Sequence, residues 1–136
     1  MVIGEVVAGS PHYAFMEVTG LPPPPGAVLD ADNSETERLL TEGIARRPRR
    51  PLVLTFRTEA SVEQVTAFYG RTDPALRFHA RTVPMGGRFQ GVQRVVARAS
   101  GNLRSGREAT VTVSRPGVDV ASRRLVAETS VRVEIR

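Results

Sequence analysis

Hydrophobic positions alternate with polar ones in three places along the chain. Leu52, Leu54 and Phe56 alternate with Val53, Thr55 and Arg57; Ala109, Val111 and Val113 fall on one side of residues 107–114; Val131, Val133 and Ile135 alternate with Arg132, Glu134 and Arg136. A period of two places such residues on one face of a half-buried strand. Residues 76–83 repeat the pattern more weakly, with Leu76, Phe78 and Ala80 set against Arg77, His79 and Arg81. Residues 88–99 read as extended or irregular, and Gly101-Asn102 with Ser105-Gly106 reads as a hairpin turn.

Helical spacing appears twice. Val62, Val65, Phe68 and Tyr69 form one apolar stripe over residues 61–71, with Ser61 as N-cap and Gln64 at the capping-box position. Residues 35–47 carry Leu39, Leu40 and Ile44 on one side behind a second cap, Ser34 with Glu37; Pro48 and Pro51 end this segment. Residues 2–8 and 12–19 read as short extended segments. Four consecutive prolines, Pro22–Pro25, then make a stiff polyproline connector. The expected organisation is an extended N-terminal segment over 1–20, a connector over 21–26 and one domain over 27–136. The expected fold is α+β: an antiparallel sheet of about five or six strands with one main helix packed on one face.

Composition narrows the function classes. The 136 residues include no Cys, which excludes disulfides, thiolate metal sites and Cys nucleophiles. No apolar run approaches the roughly 20 residues of a membrane-spanning helix. All 19 basic residues are Arg, and the net charge is +5. That charge is unevenly spread: residues 1–43 carry −6 and residues 44–136 carry +11. Such a chain compensates internally, stacks head to tail, or offers a basic face to an anionic partner.

Catalytic and metal patterns fail on their spacing. Counted from Asp30, the sixth and twelfth positions of a calcium loop hold Glu35 and Thr41 where Gly and a bidentate acid are required. His12 and His79 are the only imidazoles. Ser10 near His12, and Asp73 before His79, come without a nucleophile elbow or an oxyanion loop. The reading is a non-enzymatic chain with no cofactor. Its expected partner is itself or another protein, and residues 1–20 are the segment expected to add a strand to a neighbour's sheet edge. The alternative partner is nucleic acid. The candidate anion contacts are Arg46, Arg47, Arg49 and Arg50 around Pro48, with Arg88, Phe89 and Arg94; Phe89 is placed like a base-stacking residue.

Pro25-Gly26-Ala27, the strand over 52–58 and the run Ser61-Val62-Glu63-Gln64-Val65-Thr66-Ala67-Phe68-Tyr69 resemble a small α+β domain common in bacterial envelope proteins and lipoproteins of unknown function. The resemblance spans residues 21–136. It implies an extracytoplasmic structural or protein-binding module in which Phe68 and Tyr69 are core residues. Residues 1–13 lack the pattern of a secretory signal, so the sequence as it stands reads as cytoplasmic; an envelope location requires that a signal or anchor be removed.

Overall fold

The computed structural model describes residues 15–17, 19–30, 34–35, 51–119 and 122–136. Residues 36–47 of the expected helix over 35–47, and the extended segment over 2–8, lie outside the described residues. Eight strands and one main helix make up the described fold: β1 (Val28–Leu29), β2 (Leu52–Thr58), α1 (Val62–Thr72), β3 (His79–Pro84), β4 (Gln93–Asn102), β5 (Glu108–Arg115), β6 (Gly117–Asp119), β7 (Arg124–Val126) and β8 (Thr129–Ile135). Six strands form one antiparallel sheet in the order β1-β2-β8-β5-β4-β3, and β6 pairs with β7 as a separate ribbon. This is the expected α+β architecture.

Register converts the alternating pattern into rows. Leu54, Val133, Val111 and Ala99 stand side by side across four strands. Phe56, Val131, Val113, Ala97 and Ala80 form the next row. Along both rows everything from β2 to β4 is buried. The side chains shrink to alanine towards β4, where the helix passes close overhead. Gly101 completes this trend. A Cβ there would stand 2.8 Å from the Ala75 carbonyl oxygen, so the position demands a missing side chain. Gly101 and Asn102 are therefore the last residues of β4 rather than a turn. The chain reverses just beyond them, with Gly106 at φ 88°.

The helix forms as its sequence predicts. Ser61 Oγ accepts from the Gln64 amide (3.1 Å), and the Gln64 side chain accepts from the Ser61 amide (2.8 Å). Val62, Val65 and Tyr69 are buried, and Phe68 packs edge-on against Tyr69 with ring centroids 5.2 Å apart. Beyond the helix Asp73 is buried. Its carboxylate accepts from the Ala75 and Arg104 amides, at 3.0 and 2.9 Å, fastening the helix end to the β4–β5 connection.

The N-terminal residues correct one expectation. Residues 12–19 were expected to be extended, yet 15–17 and 19 are helical. Phe15 is fully buried and meets Phe56 edge to face at 5.2 Å. Thr19 Oγ1 donates to the Phe15 carbonyl (2.6 Å) and accepts from the Leu21 amide (3.0 Å), and Leu21 joins the same core. Two bonds fix the prolines that follow. Tyr69 OH donates to the Pro22 carbonyl (3.2 Å), and Thr58 Oγ1 donates to the Pro25 carbonyl (2.5 Å). Burial pushes the Tyr69 hydroxyl strongly upward from the ordinary tyrosine range.

Candidate functional site

Two depressions open among the described residues. One, of about 450 Å³, lies between Pro25 and α1 and is lined by Ala60, Glu63, Gln64, Ala67, Phe68 and Arg71. The other, of about 460 Å³, lies on the sheet face opposite the helix and is lined by His79, Arg81, Val96, Arg98, Ser100 and Thr112. Register builds the second one: His79 stands opposite Arg98, Arg81 opposite Val96, and Arg98 opposite Thr112. Ser100 and Thr110 share a hydroxyl hydrogen bond of 2.9 Å at its rim.

The charges in this depression differ from other cations of the sheet. Arg57 pairs with Asp30 at 3.0 Å, and Arg132 pairs with Glu134 at 3.2 Å. Arg115 donates to the Glu59 carbonyl and to Thr129 Oγ1. Among the described residues, Arg81 and Arg98 form no ion pair and no side-chain hydrogen bond. Two exposed guanidinium forks beside an imidazole and two hydroxyls suit an anionic oxygen pair such as a carboxylate. Its described lining holds no Phe or Tyr ring on which a base could stack.

The strand that carries His79 and Arg81 ends the sheet. Five of its six residues are exposed, and Val83 is half-buried. The helix does not reach this end: Val95, the partner of Thr82, is 40% exposed although it faces the same side as the core. The phase of the hydrogen bonds follows from one contact. The Met85 amide donates to the Val92 carbonyl at 2.9 Å, and this pair continues the β3–β4 register. Antiparallel ladders alternate, so Val83, Arg81 and His79 turn their backbone groups towards β4. Ala80, Thr82 and Pro84 turn theirs outward. Pro84, which has no N–H to offer, thus sits where an N–H would face solvent.

The residues expected to contact an anion are scattered. Arg46, Arg47, Arg49 and Arg50 lie outside the described residues. Arg88 and Phe89 sit in the short 3₁₀ turn Gly87–Phe89 between β3 and β4, with the Arg88 guanidinium 5.9 Å from the Phe89 ring centroid. Arg94 is half-buried and tied down. It donates to the Pro116 carbonyl at 3.1 Å and to Ser114 Oγ at 2.6 Å, and burial lowers its pKa from the ordinary arginine range. None of these three lines the depression. Arg81 and Arg98 were present in the sequence as two of many arginines. The signal that separates them, a shared face on neighbouring strands, appears only once the register is known.

No family model matches the chain, and no match to it was found among curated proteins or solved structures.

Proposed function

We propose that this domain is a non-catalytic protein-binding module of the bacterial cell envelope, and that it takes an extended segment of another protein on the free edge of β3. One observation carries the binding reading. A six-residue strand closes the sheet with its outward backbone groups unpartnered among the described residues and with both faces exposed. Unpaired N–H and C=O groups in a row are a template for one more strand. Arg81 and Pro84 fit a managed edge, since charge and proline limit which strands can pair there. The lining of the adjacent depression supports binding over catalysis: its one imidazole lies among cations and hydroxyls, with no carboxylate in the described lining to orient it as a base. The envelope part of the proposal rests on the resemblance of residues 21–136 to envelope domains.

The test is selection of binders from a random peptide library, mapped by backbone amide shifts. Extended peptides that shift the amides of Ala80 and Thr82 support the reading. Failure to select any peptide, or selection only of peptides that map to the groove beside Phe68, overturns it. Recovery of the protein in the cytosolic fraction of its native host overturns the envelope assignment.

A further inference from the structure

We infer that the segment bound by β3 is acidic, with a carboxylate placed directly opposite Arg81. This rests on the strand-addition reading above and adds the chemistry and register of the partner. Ala80 and Thr82 point their N–H and C=O groups outward, so an added strand bonds to those two residues. Side chains of directly opposed residues share a face. The partner residues opposite Ala80 and Thr82 therefore lie on the helix side, next to exposed Val95, and suit small or β-branched side chains. The residue between them lies on the other face, opposite Arg81. That position is a non-hydrogen-bonded pair, in which side chains approach most closely. Arg98 and His79 stand on the same face within the depression. The recognised pattern is an apolar residue, an acid, and an apolar residue in extended conformation.

Charge also decides against a second copy of the chain. In every antiparallel self-pairing that keeps Ala80 and Thr82 bonded, Arg81 lies opposite or diagonal to its own mate. Each copy also brings Arg98 to the same face, and like charges across strands are destabilising. An acidic partner reverses that sign.

The experiment uses the whole chain and a capped peptide, Ser-Thr-Val-Glu-Val-Thr-Ser, with fluorescence anisotropy as the readout. Its comparison peptides carry Gln for Glu, or N-methyl groups on both Val residues, or an N-methyl group on Glu alone. The expected result is binding of the Glu peptide about three- to fivefold tighter than the Gln peptide, the upper part of the range a cross-strand charge pair supplies. Arg81→Gln removes that preference. N-methylation of the Val residues, whose N–H groups face β3, abolishes binding, whereas N-methylation of Glu, which faces away, is tolerated. Equal binding of Glu and Gln peptides, still blocked by Val methylation, overturns the acidic preference and leaves strand addition standing. Absence of binding by both peptides overturns both. Glu-dependent binding indifferent to every methyl group shows a plain anionic contact and overturns the register. Tighter binding of a single-stranded oligonucleotide than of the Glu peptide, falling steeply with salt, overturns the inference in favour of nucleic acid. A dimer in sedimentation that Arg81→Gln strengthens overturns it in favour of a second copy.

Discussion

The two edges of the sheet are built on opposite plans. At the β1–β2 end described residues engage both the core face and the outer backbone groups of β2. Phe15 and Leu21 cover the core face, and β1 pairs for two residues with β2. Asp30, Ser34 and Glu35 then continue the ladder with backbone and side-chain groups. The Asp30 amide donates to the Thr55 carbonyl, Ser34 Oγ accepts from the Thr55 amide, and Glu35 both donates to the Val53 carbonyl and accepts from the Val53 amide. At the β3 end the helix stops short, alanines replace larger side chains, and the strand stays open. Stability is concentrated where backbone and apolar groups are saturated. The proposed recognition uses the end where they are not.

The largest expected effect comes from breaking the covered end. Phe15→Ala empties a fully buried aromatic site against Phe56 and should cost about 3–5 kcal/mol in urea unfolding. That is a large share of a total stability of about 5–15 kcal/mol. A loss below about 0.5 kcal/mol, the usual scale of surface changes, would show that the N-terminal helical residues do not belong to the cooperative unit.

A second effect of the covered end depends on pH. The Tyr69 hydroxyl is held protonated by burial, so its folded pKa lies above its unfolded value of 10.0. The stabilising contribution is complete below pH 10 and is lost as pH rises towards the folded pKa. The unfolded state then binds fewer protons than the native state, and stability falls by up to about 1.4 kcal/mol per pH unit. The chain has no Lys and no Cys, so just above pH 10 the titrating side chains are its two tyrosines, with Arg94, whose pKa burial lowers, the arginine to weigh beside them. Denaturation midpoints of the wild type should therefore fall above pH 10, and Tyr69→Phe should flatten most of that fall. An unchanged slope in Tyr69→Phe would assign the effect elsewhere.

Ser34→Ala tests the side-chain ladder. Ser34 Oγ accepts from the Thr55 amide at 2.8 Å and donates to the Asp30 carbonyl at 2.6 Å. Its loss leaves a buried strand residue's N–H without this partner and should cost about 1–2 kcal/mol. Hydrogen exchange at the Thr55 amide should accelerate in step.

The covered and open ends differ also in how far the sequence revealed them. Period-two alternation gave β2, β5 and β8 directly, because their burial on one face is strong enough to sort every second residue. The cap at Ser61 was legible because both its partners are local. Phe15 was not: a short run such as residues 12–19 fits strand and helix alike, and its burial depends on Phe56, far along the chain. The candidate site was less legible still. Arg94 and Arg98 have the same parity and chemistry in the sequence. Only the placement of Pro116 and Ser114 ties Arg94 down, while the pairing of β3, β4 and β5 leaves Arg98 open. The insertion of β8 between β2 and β5 is likewise a long-range pairing that no local pattern encodes.

The smallest expected effect sharpens the comparison most. Thr82 lies on the exposed edge strand, pairs with half-exposed Val95, and has no described partner for its outward backbone groups. Thr82→Ala should therefore change stability by less than about 0.5 kcal/mol, as surface substitutions do. Its amide should exchange quickly in the free protein, whereas that of Thr55, equally close to an edge but bonded to Ser34, should be protected. Stability and protection are then separable at the two edges. A Thr82 amide as slow as that of Thr55 would mean that the β3 edge is already covered in solution, and the asymmetry on which the binding proposal stands would disappear.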